Sequence, residues 1–442
     1  MIDQSVQRVE RLLRNPALLF GAGAVLAAAV AVVLVAAFPL YKPLLEAQFS
    51  FSIIVLALML LLILTATALC ILAERKVAAF TQDRRGPNRV GFWGLLQPVA
   101  DGLKFLLKED IIPHHVDKVL FVLAPSVSLV VALVGFAIIP WAGDVRWPWM
   151  PAPSAAEGTT GTVSTQAASL NVGFLYLLAV GSFGVYGFVL AGWASNNKYS
   201  FYGGMRAAAQ MISYELPLGL GLLCVLLATG TLRLEEIVDQ QARSGVWNIF
   251  LHPIAFFLVL VSSFAETSRL PFDLAEAEQE LVGGYHTEYS AMKWAMFFLA
   301  EYAHLITGSA LMIALFFGGW HLWGLPGPDN VTWWAMLIRL AVYLAKIAGF
   351  IGFFMLVRWT IPRFRFDQLM RLAWQGLVPV GVALLAATAV LAALGRQRSV
   401  PASLAVNLVL LLVVLRRAAR SQRPVTARQE DLPRIRVESG YE

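Results

Sequence analysis

Ten stretches of this chain are apolar over lengths that call for a non-aqueous surrounding. They lie at 17–38, 51–73, 118–140, 170–193, 211–230, 249–267, 295–318, 332–357 and 376–394, with a shorter one at 401–415. About 20 apolar residues in helical form cross the roughly 30 Å hydrocarbon layer of a bilayer. Inside that layer the backbone must satisfy its own hydrogen bonds, and helices do this segment by segment. The runs therefore predict an all-α fold, a polytopic transmembrane helical bundle. Composition agrees, since 58% of residues are hydrophobic and 14% charged, where soluble domains carry about 25% charged residues. A water-soluble globular fold is excluded. The first run follows Arg8, Arg11 and Arg14 as a signal peptide would, but its 22 residues exceed an apolar signal core of about 7 to 15, and no small-residue cleavage site closes it. It reads as a retained anchor helix.

The basic residues orient the spans. The N-terminus, the loops 74–115, 194–213, 268–294 and 358–372, and the tail from 416 hold 25 of the 34 Lys and Arg. The opposite loops hold six: Lys42, Arg146, Arg233, Arg243, Arg396 and Arg398. The positive-inside rule then places the basic loops and both termini in the cytoplasm and makes 142–169 an exterior loop. The formal charge of +6 thus reflects cytoplasmic loops rather than a nucleic-acid partner. No internal repeat is visible, which weighs against an inverted-repeat transporter. Cys70 and Cys224 lie inside apolar runs without a partner at metal-binding spacing, so no disulfide framework, metal site or redox centre is expected in this chain.

A charge in the middle of a span costs about 2.5 to 3.5 kcal/mol on insertion scales, so each one implies a partner, water or a function. Glu215, Glu266, Glu301 and Lys346 stand in such places. Groups whose proton affinity depends strongly on environment suit a stepwise proton relay; the alternative for Glu215 and Glu266 is that they snorkel to the interface. The loop that follows Arg269 is also unusual, with Asp273, Glu276, Glu278, Glu280 and Glu288 set against that single arginine. Asp273 and Glu276 have the spacing of a helix N-cap and its capping-box partner, which would put Glu276 and Glu280 on one helix face. An ordinary solvated helix start is the plainer reading. Between Phe92 and Lys108, Gln97, Asp101, Lys104 and Lys108 oppose Leu95, Leu96, Val99, Leu103, Leu106 and Leu107. That pattern predicts an amphipathic helix lying at the cytoplasmic interface. With the basic run Arg84-Arg85-Gly86-Pro87-Asn88-Arg89 and the acidic loop, it would border a pocket for an amphipathic ligand or a docked subunit.

These residues carry a resemblance. Ala73-Glu74-Arg75-Lys76, Arg85-Gly86-Pro87-Asn88-Arg89-Val90-Gly91, Leu96-Gln97-Pro98-Val99-Ala100-Asp101-Gly102-Leu103-Lys104, Ala191-Gly192-Trp193-Ala194-Ser195-Asn196-Asn197-Lys198-Tyr199-Ser200, the run Arg269-Leu270-Pro271-Phe272-Asp273 to Leu281, and Pro362-Arg363-Phe364-Arg365-Phe366-Asp367-Gln368 occur in order. In these motifs the chain resembles the H-subunit family of bacterial NADH-quinone oxidoreductases, the counterparts of subunit one of mitochondrial complex I. The resemblance implies an eight-span core at 51–394, at the heel of the membrane arm where the peripheral arm docks. It leaves an N-terminal extension at 1–50 with an extra helix, and a C-terminal extension at 395–442 with a short span and a basic tail. Quinone-chamber positions would be Arg75, Arg84, Asp101, Arg269, Asp273, Glu276, Glu278, Glu280 and Arg358. A buried coupling relay would be Glu215, Glu266, Glu288, Glu301 and Lys346. Quinone, such as ubiquinone, would be the substrate, while NAD(H), FMN and iron–sulfur clusters would belong to partner subunits. The implied partners are the iron–sulfur subunit at the quinone site, the 49-kDa-type subunit, small membrane subunits, antiporter-like subunits and lipid, in the bacterial cytoplasmic (inner) membrane.

The reading is of a coupling subunit of a proton-translocating enzyme, inactive alone. Two others compete with it: the membrane anchor of an energy-converting hydrogenase or ferredoxin-fed complex, and an autonomous proton or cation transporter. The run Gly283-Gly284-Tyr285-His286-Thr287-Glu288-Tyr289-Ser290 looks more like the quinone-reducing branch than the hydrogenase branch.

Overall fold

The computed structural model describes residues 48–146, 162–276, 278–396 and 399–421. The anchor helix expected at 17–38, the middle of the 142–169 loop and the tail beyond 421 lie outside these residues. Helices α1 (Gln48–Thr81), α2 (Gln97–Leu107), α3 (Lys118–Val134), α4 (Gly173–Ala194), α5 (Lys198–Thr229), α6 (Leu234–Ser244), α7 (Asn248–Leu251) and α8 (Pro253–Glu266) follow in order. After them come α9 (Glu278–Leu281), α10 (Ala291–Phe316), α11 (Trp333–Thr360), α12 (Phe366–Arg371), α13 (Val378–Ala393) and α14 (Val400–Ser421). Among the described residues, seven helical stretches are long and apolar enough to cross a membrane: α1, α3 with its following turn, α4, α5, α10, α11 and the α12–α13 unit, which a π turn at Leu372–Leu377 joins. The chain is an all-α, multi-pass bundle.

At the centre stands α5, packed on α4, α8 and α13, while α10 packs on α1, α3 and α11. The α5 helix starts 13 residues before the expected span at 211 because its first turns are held by small residues rather than apolar ones. Ser200, Gly203, Gly204 and Ala207 are buried there. A Cβ on Gly192 of α4 would stand 2.6 Å from the Ser200 carbonyl, and one on Gly203 would stand 2.5 Å from the Tyr285 amide nitrogen. Backbones approach this closely only where no side chain intervenes. Asn197 caps the helix, its side chain accepting from the Tyr199 amide at 2.9 Å.

The span expected at 249–267 is broken. His252 (φ −130°, ψ 60°) leaves the helical region, and Pro253 starts a second helix of 14 residues, about 21 Å long. Asn407 of α14 bridges the break, accepting from the Ile254 amide at 3.3 Å and donating to the Leu251 carbonyl at 3.2 Å. Backbone groups freed inside a membrane need such partners. The run expected at 401–415 is part of α14, a 22-residue helix.

Two further elements have no forerunner among the apolar runs. Strands β1 (Asp144–Arg146) and β2 (Thr162–Ser164) pair antiparallel with Val145 opposite Val163, inside the expected exterior loop. The helix α6 carries Glu235, Glu236, Asp239 and Arg243 on one side and buries Leu234, Ile237 and Val238 on the other.

Candidate functional site

The strand of chain leaving α8 turns back into the bundle at Ser268, whose φ of 49° is left-handed, and this points Arg269 inward. Its guanidinium donates from Nη1 to Glu74 Oε2 at 2.6 Å and from Nε to Glu301 Oε1 at 2.5 Å. It also lies 3.9 Å from the centre of the Tyr302 ring. The Tyr302 hydroxyl donates to the same Glu74 oxygen at 2.7 Å, and Arg358 pairs with the other. Two arginines and two glutamates from α1, the loop, α10 and α11 thus form a neutral node at the level where loop meets membrane. Burial works against the Arg269 charge, but the Glu301 carboxylate and the Tyr302 hydroxyl outweigh it and hold its pKa above the ordinary value.

Nearer the surface, α2 lies against α1 with its polar side inward. Arg75 Nη1 meets Asp101 Oδ2 at 2.5 Å, with Lys104 and Gln97 on the other carboxylate oxygen at 3.4 and 3.3 Å. Arg84 is exposed and bonds to Gln82 at 2.7 Å, apart from the other expected chamber residues. The acidic loop departs from expectation. Among the described residues its helix, α9, covers only Glu278–Leu281, so Asp273 and Glu276 lie in the turn before it, and Glu276 shares no helix face with Glu280. Arg363, following α11, takes the role expected of the helix, donating to the Asp273 carbonyl and reaching its carboxylate at 3.5 Å. Glu276 Oε1 accepts from Tyr285 at 3.5 Å and lies 3.8 Å from His286 Nδ1. Burial pushes His286 down to about 4, so near neutral pH this is no ion pair. Burial, then the Glu276 charge, pushes the Tyr285 phenol well above its usual value. Glu280 pairs with Arg206 at 2.6 Å on the surface, and Glu288 accepts from Asn197 at 2.6 Å. The Glu278 side chain lies outside the described residues. Gly284, at φ 59°, is pressed on the Ala275 carbonyl, where a Cβ would stand at 2.0 Å; only glycine allows this loop to fold on itself.

Helices α3, α4, α5, α8 and α10 line a cavity of about 80 Å³ bordered by Glu215, Glu266 and His304 with the hydroxyl residues Ser182, Ser263 and Thr307. The Ser182 hydroxyl donates to the Glu215 carboxylate. Glu215 and Glu266 therefore border a shared space. Glu301 belongs to the node, and Glu288 lies apart beside Asn197. Lys346 is on the other side of the bundle, where its ammonium donates to the carbonyls of Phe317, Gly319 and His321 at 2.8, 2.9 and 2.6 Å and faces the Trp247 ring at 4.6 Å. It touches none of the relay carboxylates.

Sequence reasoning did not single out Glu74, Tyr302, Arg363 or His304. Glu74 escaped because the first core span was ended at 73, whereas the helix runs to Thr81; eight more helical residues make it an intramembrane charge of the kind the cost argument detects.

Comparison with known proteins gives a consistent family. The sequence model of the NADH dehydrogenase family matches residues 53–389. The NADH-quinone oxidoreductase H subunit of Leptospira biflexa is 49% identical over 315 residues, 70% of this chain and 86% of that protein. The protein of the same name from Flavobacterium johnsoniae is 48% identical, with 70% and 86% covered. The second such H subunit of Koribacter versatilis is 48% identical over 332 residues, covering 74% and 92%.

Proposed function

The chain belongs to the H-subunit family of NADH-quinone oxidoreductases, and from that premise we propose that it forms part of the quinone-binding chamber where the membrane arm meets the peripheral arm, and couples quinone reduction to proton translocation. As a multi-pass component of an oxidoreductase complex it works with other subunits. In this reading those are the iron–sulfur and 49-kDa-type subunits on the cytoplasmic side and the small and antiporter-like subunits within the bacterial inner membrane, with NAD(H), FMN and iron–sulfur clusters in the partners.

The observation that carries the proposal is the continuity of charge from surface to interior. Asp273, Glu276 and Arg363 form the loop layer, the Arg269 node lies below it, and Glu266, three residues before Arg269, opens on the buried cavity. A change in charge at the headgroup of a reduced quinone would be felt by the loop carboxylates and passed inward, because charged groups follow one another from layer to layer. An apolar groove between α1 and the Phe92–Leu95 turn, lined by Leu69, Leu72 and Trp93, suits the entry of an isoprenoid tail from the bilayer. Polar groups beyond it suit the headgroup.

The test is Asp273→Asn or Glu280→Gln in the complete complex. Assembly should be retained while NADH-to-quinone turnover falls. Wild-type turnover and pumping in both variants would overturn the role given to the loop.

A further inference from the structure

Three successive contacts on α4 bring together titratable groups from three other helices. A Cβ on Gly181 would stand 3.3 Å from Glu266 Oε1, and one on Gly184 would stand 3.7 Å from His304 Nε2. Between them Ser182 donates to Glu215. Residues three apart on a helix lie on one face with Cβ atoms about 5 to 6 Å apart. The two carboxylates and the imidazole therefore meet α4 within about one turn. The cavity they border, about 80 Å³, exceeds the roughly 10 to 15 Å³ that one water needs.

On its own helix His304 is three residues beyond Glu301, so the two also share a face, and Glu301 is bound to Arg269 in the node. His304 thus borders the cavity of Glu215 and Glu266 and lies within one helical turn of Glu301, which belongs to the Arg269 node. An imidazole suits that position, because its two nitrogens accept a proton on one side and release one on the other.

We propose that His304 is a relay residue that passes protons between Glu301 in the node and the cavity carboxylates Glu215 and Glu266. A cavity water protonated by Glu266 or Glu215 gives its proton to one ring nitrogen, forming the imidazolium. The proton on the other nitrogen then leaves toward Glu301, directly or through water, and the ring is left neutral in its second tautomer. Reverse transfer or a ring flip restores the first, so no net proton or electron is created. This assignment rests on the coupling role proposed above.

The test uses the whole complex sealed into liposomes, with His304→Asn, Glu266→Gln and the parent compared for NADH-to-quinone turnover, protons moved per quinone and the slowing in deuterium oxide. Asn keeps a polar side chain of similar reach but cannot carry the proton. His304→Asn should assemble, lose about tenfold or more in coupled turnover, move fewer protons per quinone and change the isotope effect, as should Glu266→Gln. If Glu266→Gln is impaired while His304→Asn matches the parent in all three readouts, the His304 assignment is overturned and the coupling role stands. If neither is impaired, the coupling role fails and the assignment with it. Should His304→Asn not assemble, His304→Gln repeats the test; failure of both to assemble would make His304 a packing residue and overturn the proposal.

Discussion

Arg269 donates to Glu74 across 2.6 Å with side-chain exposures of only 7% and 9%. The bond joins a loop to a helix 195 residues earlier in the chain. Removing two charges from water costs several kcal/mol each, and mutual attraction offsets this only when the remaining donors and acceptors are also satisfied. Tyr302, Glu301 and Arg358 satisfy them here.

Glu74→Gln should therefore be strongly destabilising. It would leave Arg269 and Arg358 with the single counter-charge of Glu301, and breaking a buried pair costs about 3 to 5 kcal/mol. The expected readout is a lower thermal midpoint of the purified complex and a lower yield of assembled subunit, with Glu74→Asp recovering part of both. An unchanged midpoint for Glu74→Gln would show that the node is not what joins α1 to the loop.

Gly203 and Gly219 lie on the same helix and should respond oppositely to alanine. At Gly203 the new methyl would stand 2.5 Å from the Tyr285 nitrogen and 2.6 Å from the Gly284 carbonyl carbon; backbone cannot yield as a side chain can, and overpacking of this kind costs about 1 to 3 kcal/mol. At Gly219 nothing lies within 4 Å, so alanine there should be neutral or stabilising by up to about 1 kcal/mol. Thermal midpoints of the two variants check this directly; equal midpoints would contradict the close approach of α5 to the loop.

Asn407→Leu should weaken the complex without altering turnover per assembled unit. The change leaves the Ile254 amide and the Leu251 carbonyl unpaired at the break between α7 and α8, and an unsatisfied buried polar group costs about 1 to 3 kcal/mol. Faster amide exchange at Ile254, detected by mass spectrometry, is the local signature. Parental exchange there would mean that α14 does not cap the break.

His286 should make the acidic loop acid-sensitive. Burial lowers its pKa from 6.5 to about 4, so between those values the opened loop binds a proton that the closed loop does not. The closed form is then fully favoured above pH 6.5 and loses stability as pH falls from there toward 4, with no further loss from this group below that. Exchange protection factors over residues 284–288 at pH 7 and pH 5 should differ in the parent and much less in His286→Gln. An equal pH response in the two would place the sensitivity elsewhere.

Much of this was legible along the chain because it follows from local chemistry. Apolar length locates spans, so α3, α4, α10 and α11 begin and end near their expected limits. The cost of intramembrane charge picked out Glu215, Glu266 and Glu301 individually, and the four-and-three spacing of Gln97, Asp101 and Lys104 anticipated the side of α2 that faces Arg75. The spacing of Asp273 and Glu276 misled, since a capping pattern is a local preference and the loop instead follows Arg363, 90 residues away. Lys346 shows the limit of the cost argument: an out-of-place charge requires a partner, but three loop carbonyls meet that need as well as a carboxylate would.

What the sequence alone determined is the class of solvent and the elements: a membrane bundle, the positions of most long helices, and which charges demanded an explanation. Which of those charges meet was decided only by tertiary structure. Packing of small residues brings α4 against α5 and α5 against the acidic loop, and the turn at Ser268 swings Arg269 inward to Glu74 and Glu301. Side-chain electrostatics act over a few ångströms, whereas these partners are separated by tens to hundreds of residues, so no local pattern could specify the pairing.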